Sequence, residues 1–477
     1  MKTRHILFIC LLCTPEASLP GRTSPFPAGQ IIDRVTCVRD TAHSYALYLP
    51  SGYTPSRKWP VIYAFDPAAN GRIPVERLRN GAEKFGYIVA GSNNSRNGPW
   101  DPVLETIEAI SVDTEARLSI DVRRIYTTGF SGGSRVASAI AMRSANVAGI
   151  IGCGAGFSRQ YPPNPLISFV YVGLVGRGDM NYREMAAKTR LLTLYKIPNI
   201  LRIFDGGHEW PPEACFTQAL EWLEVQAMRK GLTPFDSVMV NTIFDKDCAE
   251  AGQLEKSGRL YDAWRRWSDL AFNFEGLADI RNARQNAGRL HANRAVRQRI
   301  SLDEKLAEEE IRLRTKLLKA LDAVDEDYYR KNGRLKKEAW WIRETERLLK
   351  RLNDAGTDDE RWMCRRVIDD LWRNCYVRAD NHMSGEEWLK SAPWLEIWGL
   401  FQPQSPFPSY NLAVALAHSG RPEDALNRLR ISVGKGLNRP ALLENECAFD
   451  EIRGTEAFHA LIKAIHNAAV PDSTDID

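Results

Sequence analysis

Proline recurs from Pro15 to Pro234 and is then absent until Pro393, and this asymmetry does most to limit what the chain can fold into. A proline inside a helix removes one hydrogen bond and clashes with the preceding turn, so a long proline-free stretch is compatible with uninterrupted helices. That stretch is rich in Leu, Arg, Glu, Ala and Trp, and it reads as helical throughout. The earlier part alternates short β-branched or aromatic runs with helical patterns. The runs predict strands over Tyr45 to Leu49, Val61 to Phe65, Tyr87 to Ser92, Arg124 to Thr128, Gly149 to Cys153, Phe169 to Leu174 and Ile200 to Phe204. Helices are expected near Val75 to Phe85, Val103 to Leu118, Gly133 to Ser144, Tyr182 to Tyr195 and Glu213 to Met228. Such alternation predicts an α/β domain, a mostly parallel sheet sandwiched by helices, followed by an all-α domain. The strand runs are largely apolar, as in a sheet buried on both faces.

At 477 residues the chain is too long for one ordinary core and suggests two domains or three. Thr233-Pro234 has the form of a cap followed by a first-turn proline, which puts the boundary near residue 230. The expected layout is a leader over 1–18, a sheet domain over 30–230, a helical region over 231–395 and further helices over 396–470. The net charge of +4 is small for this length and gives no reason to invoke nucleic acid. The arginine-rich Arg281 to Arg299 lacks interleaved aromatics and reads as a solvated helix face.

Lys2 and Arg4 precede the apolar run Ile6 to Cys13, a pattern that resembles a secretory signal and predicts export to a periplasmic or extracellular space. Without such a signal the protein would be cytoplasmic. No later apolar stretch is long enough to span a membrane as a helix. Of nine cysteines, the seven beyond that leader are scattered with no C-x-x-C pair, which argues against zinc and against a disulfide framework.

The chemistry concentrates in Ile125-Tyr-Thr-Thr-Gly-Phe-Ser131-Gly-Gly-Ser-Arg-Val-Ala. Here Gly129-x-Ser131-x-Gly133 stands between a β-branched strand and a small-residue helix. Glycine at this frequency produces the five-residue pattern by chance in roughly one such chain in ten; the strand before and the helix after are what select it. A nucleophile on a strand-to-helix turn needs small neighbours, because its strained backbone brings adjacent chain close. The N–H of Gly132, at the positive end of the helix, faces a developing oxyanion.

A serine hydroxyl needs a base, and the base needs an acid to orient it. After the leader the first domain holds two histidines, His43 and His208. His43 precedes an early strand and reads as a strand-end residue. His208 follows the last strand in Phe204-Asp-Gly-Gly-His-Glu-Trp-Pro-Pro, where glycines let the loop turn back over the sheet, and is the candidate base. Asp179 closes a strand in Gly-Arg-Gly-Asp and is the candidate acid. Asp205 is its rival, three residues from His208 on the same loop.

The order Ser131, Asp179, His208 is the chain order of the α/β-hydrolase fold. With Tyr45-Ala-Leu-Tyr-Leu-Pro-Ser-Gly-Tyr, Gly-Phe-Ser-Gly-Gly, Gly-Arg-Gly-Asp and Gly-Gly-His-Glu-Trp-Pro, residues 45–228 resemble serine esterases. The relevant branch holds the dienelactone-hydrolase-like, polyhydroxybutyrate-depolymerase-like and feruloyl-esterase-like proteins. The resemblance implies hydrolysis of a small-molecule or carbohydrate-linked ester through an acyl-enzyme, with no metal and no organic cofactor. One departure stands out. Many relatives carry His-Gly after the strand that here ends Tyr63-Ala-Phe-Asp-Pro67-Ala68, and Pro67 has no N–H to offer, so Ala68 becomes the candidate second oxyanion donor. Asn93, Asn94, Arg96 and Trp100 follow a strand and are candidates to border the pocket, as are Phe130 beside the nucleophile and Trp210 beside the base.

In the helical part, Ala251, Leu254, Gly258, Ala263 and Trp267 match Ala413, Leu416, Gly420, Ala425 and Leu429 in spacing. Small residues where two helices cross and a glycine in the turn describe a helical hairpin. The pattern resembles the tetratricopeptide repeat and implies a surface for a protein or peptide partner. Between the two hairpins, Asn273 to Leu389 shows no clear period. Two alternatives to the esterase remain open: a serine peptidase on the same fold, and a non-catalytic interaction protein working through its helices.

Overall fold

The computed structural model describes residues 25–469, so the leader expected over 1–18 lies outside the described residues. Eight strands form one sheet: β1 Ile31–Thr36, β2 Ser44–Tyr48, β3 Trp59–Phe65, β4 Ile88–Ser92, β5 Ile120–Phe130, β6 Val147–Cys153, β7 Val170–Gly176 and β8 Asn199–Phe204. Their order is β1-β2-β4-β3-β5-β6-β7-β8. β1 and β2 pair antiparallel, as do β2 and β4, and from β4 to β8 every pairing is parallel. β2, β3, β4, β6 and β7 are buried along their whole length and β5 from Arg124 onward, as strands covered on both faces must be. β1, with Asp33 and Arg34 exposed, is an edge strand.

Helices α1 Arg72–Phe85, α2 Trp100–Arg117, α3 Gly132–Arg143, α4 Tyr182–Leu194 and α5 Glu213–Arg229 connect the strands. Val75, Leu78 and Ala82 of α1 share one core with Phe216, Leu220 and Leu223 of α5. Val103, Ile107 and Ile110 of α2 share the opposite core with Val136, Ala137 and Ile140 of α3. The sheet is thus covered on both sides, and its strand order is that of the α/β-hydrolase fold.

The register sets the position of everything chemical. Phe65 pairs with Gly129, Phe130 with Cys153, and Gly176 with Phe204, so these strands end together at one rim. In an open parallel sheet the carboxyl ends of the strands form the ligand-binding side.

The remaining chain is helical: α6 Ser237–Lys256, α7 Leu260–Asn273, α8 Arg281–Ala292, α9 Arg294–Asp322, α10 Glu326–Asn332, α11 Glu338–Asn353, α12 Asp358–Ser384, α13 Trp388–Phe401, α14 Phe407–His418 and α15 Pro422–Gly434, with further helical segments beyond. The first of these starts later than Thr233-Pro234 suggests. Asp236 caps it, its carboxylate accepting from Met239 N at 3.0 Å.

Two compact units divide at Glu304 and Lys305, well beyond residue 230. Val240, Ile243 and Phe244 of α6 and Trp267 and Leu270 of α7 form one cluster with Val225 and Met228 of α5. Asn273 Nδ2 donates to Asn199 O of β8 at 2.9 Å. These helices therefore belong to the sheet's own unit. Both expected hairpins form: Gly258 turns α6 into α7 at φ 77°, Gly420 turns α14 into α15 at φ 68°, and Ala251, Ala263, Ala413 and Ala425 are fully buried at the crossings. Arg281, Arg284 and Arg289 of the arginine-rich stretch pair with Asp279, Glu275 and Glu255. Among the described residues no helix is long and apolar enough to cross a membrane.

Candidate active site

Ser131 sits between β5 and α3 with φ 52° and ψ −116°, a strained conformation for a residue with a side chain. Such geometry costs on the order of 1–3 kcal/mol and persists only where its surroundings over-determine it. The surroundings here are two glycines and a hydrogen bond. A Cβ on Gly129 would lie 2.3 Å from the Gly133 backbone, and one on Gly133 would lie 2.0 Å from Phe65 O. Ser131 N donates to Cys153 O at 2.8 Å. Strand, turn and helix are therefore packed backbone on backbone, with the half-buried Ser131 at the rim.

The loops after β7 and β8 are zipped together. Arg177 N donates to Phe204 O at 2.9 Å and Gly178 N to Gly206 O at 2.8 Å. A Cβ on Gly176 would lie 2.2 Å from Gly207 O, which is why glycine is needed there. This clamp carries Asp179 and His208. The Asp179 side chain is fully buried; Oδ1 accepts from Asn181 N at 2.7 Å, and Oδ2 lies 3.0 Å from His208 Nδ1. His208 Nε2 lies 2.9 Å from Ser131 Oγ. With a carboxylate on Nδ1, the proton resides there and Nε2 presents its lone pair to the serine hydroxyl. Asp205, the rival acid, is 85% exposed and pairs with Arg177 at 3.2 Å. His43 lies beside Asp40 at 2.9 Å, at the start of β2. Burial raises the Cys153 thiol well above its usual range, so this neighbour of the elbow stays protonated.

Phe130 lies against the base rather than in open pocket: its ring centroid is 4.7 Å from that of His208 and 5.4 Å from that of Trp210. Trp210 Nε1 donates to Asp66 Oδ2 at 3.0 Å. Phe130 packs on the imidazole, and Trp210 behind it ties the histidine loop to the end of β3.

Several of the expected site residues are already engaged elsewhere in the structure. Ala68 N donates to Asp66 Oδ1 at 2.8 Å, so it is not waiting for an oxyanion. Asp66 folds the segment after β3 into a turn of its own, accepting also from Asn70 N at 3.3 Å through Oδ1 and from Ala69 N at 3.2 Å through its carbonyl. Asn93 and Asn94 are likewise occupied. Asn93 accepts from Gly71 N and donates to Asp33 O, while Asn94 accepts from Ser44 N and donates to Ala42 O. Both hold backbone together, as side-chain amides in loops commonly do. Trp100 begins α2 and packs on the core beneath it, whereas Arg96 is exposed and its backbone bridges Ala68. Sequence reading passed over two residues the structure brings to the site, Asp66 and Asn97. A Cβ on Gly132 would lie 1.7 Å from Asn97 Oδ1, so this carboxamide rests directly against the elbow. Neither carries a motif.

Strand order and register define the fold as that of the α/β-hydrolases, with Ser131 on the sharp turn between β5 and α3. No family model matches the sequence, and no curated protein matches it. Among solved structures, an S-formylglutathione hydrolase from Staphylococcus aureus is similar at 11% identity and a TM-score of 0.33, over 42% of this chain and 99% of that one. A hyperthermophilic esterase from the archaeon Pyrobaculum calidifontis is similar at 11% identity and a TM-score of 0.34, over 43% and 87%. A ferulic acid esterase is similar at 14% identity and a TM-score of 0.34, over 40% and 94%.

Proposed function

We propose that the chain is a carboxylic ester hydrolase working through an acyl-enzyme. The observation that carries this reading is the continuous relay from Ser131 Oγ to His208 at 2.9 Å and from His208 to Asp179 at 3.0 Å. His208 takes the hydroxyl proton as Ser131 attacks the ester carbonyl, and Asp179 stabilises the imidazolium that forms. The Gly132 N–H receives the carbonyl oxygen as it gains charge. The imidazolium then returns its proton to the departing alcohol. Water, activated by the same imidazole, releases the acid. Binding, orientation and proton transfer all fall to this chain's own side chains.

Ser131→Ala is expected to lower kcat on short aryl esters by about 10⁴-fold or more while leaving the circular dichroism spectrum and melting temperature of the parent. Turnover within a few-fold of the parent would contradict the reading. The basic-then-apolar N-terminus supports export as the setting in which the ester is met. The two helix–glycine–helix hairpins support a tetratricopeptide-like role in holding a peptide or protein partner.

A further inference from the structure

A tetrahedral intermediate in acyl transfer places a full negative charge on one oxygen, and one N–H is a poor match for it. Hydrolase sites therefore supply a second donor, and removing one costs about a hundred-fold or more in rate. From Pro67 to Gly71, the segment that follows β3 has no backbone donor left to give. Pro67 has none by its chemistry. The N–H groups of Ala68, Ala69 and Asn70 go to Asp66, and that of Gly71 goes to Asn93 Oδ1 at 3.2 Å. Asp66 is 4% exposed and is itself anchored by the Trp210 indole, so releasing those amides would leave a buried carboxylate without its donors.

One polar group lies at the elbow with its donors unused. Among the described residues neither the Gly132 N–H nor the Asn97 carboxamide makes a hydrogen bond, yet the two residues touch. A Cβ on Gly132 would meet Asn97 Oδ1 at 1.7 Å, Cγ at 2.8 Å and Nδ2 at 3.3 Å. The backbone beneath the side chain is pinned: Asn97 N donates to Pro67 O at 2.9 Å, and Arg96 bridges Ala68. A half-turn about the Cβ–Cγ bond exchanges Oδ1 and Nδ2 and moves no other atom.

We infer that the Asn97 carboxamide is the second oxyanion donor of this hydrolase, acting beside the Gly132 N–H in place of the backbone amide that Pro67 and Asp66 together remove. The inference rests on the ester-hydrolase reading. At rest Oδ1 faces the glycine; once a carbonyl oxygen acquires charge, Nδ2 turns to it. Gly132 is then glycine for two reasons, one of them being that any side chain would occupy the place of the carboxamide. The donor is an uncharged amide and transfers no proton, so the Ser–His–Asp proton transfers are unchanged by it.

The test compares kcat and KM on a short aryl ester, together with the rate at which a fluorophosphonate labels Ser131, in the full chain and in four variants. For Asn97→Ala we expect kcat and labelling rate each to fall about 100-fold, KM to stay within about 3-fold, and the melting temperature to hold, because the side chain is exposed. Asn97→Asp, which offers only acceptors, should fall at least as far. Gly132→Ala should be damaging in the parent but add little to Asn97→Ala, where the space is empty. A kcat within about 3-fold of the parent in Asn97→Ala, or a loss confined to KM, would overturn the inference while leaving the esterase reading in place. A parent chain that neither turns over esters nor takes the label would sink both.

Discussion

At the level of single residues, the site depends on glycines that admit backbone rather than on glycines that bend. Gly129, Gly133 and Gly176 each stand where a neighbouring carbonyl occupies the position of a Cβ. Gly176 is the informative one, because the place of its missing Cβ meets Gly206 and Gly207 and no side chain of the relay, yet it holds the acid loop against the histidine loop. Gly176→Ala would push Gly207 O away and carry His208 off its line to Ser131. The expected outcome is a fall in kcat of at least about 10-fold from misplacement alone, accompanied by a lower melting temperature; steady-state kinetics beside a thermal melt checks it. The same local packing explains what could be read in advance. Ser131, Asp179 and His208 sit in glycine-rich turns whose spacing reports close backbone approach, so sequence alone marked them. The oxyanion donor could not be marked that way. Whether Ala68 N–H is available depends on Asp66, and Asp66 depends on Trp210, 144 residues away.

At the level of elements, the largely apolar strands and the helices between them were legible because a doubly covered strand has no polar face to blur its pattern. β1, with Asp33 and Arg34 along an exposed edge, gives no such run and escaped notice. The packing partner of the helices after α5 also escaped. Periodicity shows that α6 and α7 are helices, but not that Asn273 reaches Asn199 on β8. Their buried charges make a pH prediction. Burial pushes the Asp269 carboxyl on α7 from its ordinary 3.8 up to about 6, with Arg265 and Arg202 opposing the shift and Asp247 adding to it. A carboxyl whose folded pKa is raised contributes stability that is complete below the unfolded value and is lost as pH rises through the folded one. The window here runs from 3.8 to about 6. Asp269→Asn cannot titrate, so its melting temperature relative to the parent should become more favourable as pH rises from about 4 to about 7. A pair of thermal melts at the two pH values checks the sign; a difference that is flat or moves the other way would show that this carboxyl is not the titrating group.

At the level of the whole molecule, the proline asymmetry predicted the order of the two kinds of structure but not where the compact units divide. The helical signal begins after Pro234, whereas the first unit extends to Glu304 because α6, α7 and α8 complete the core begun by Val225 and Met228. Among the described residues a single serine thus stands in the strained elbow geometry, with φ 52° and an imidazole at 2.9 Å. The measurement that tests this most directly is exposure of the full-length protein to a fluorophosphonate, followed by peptide mass spectrometry to locate the adduct. The relay predicts one adduct per chain, on Ser131, formed at a rate that collapses in His208→Ala. An unlabelled protein, or an adduct on another residue with Ser131 untouched, would contradict it.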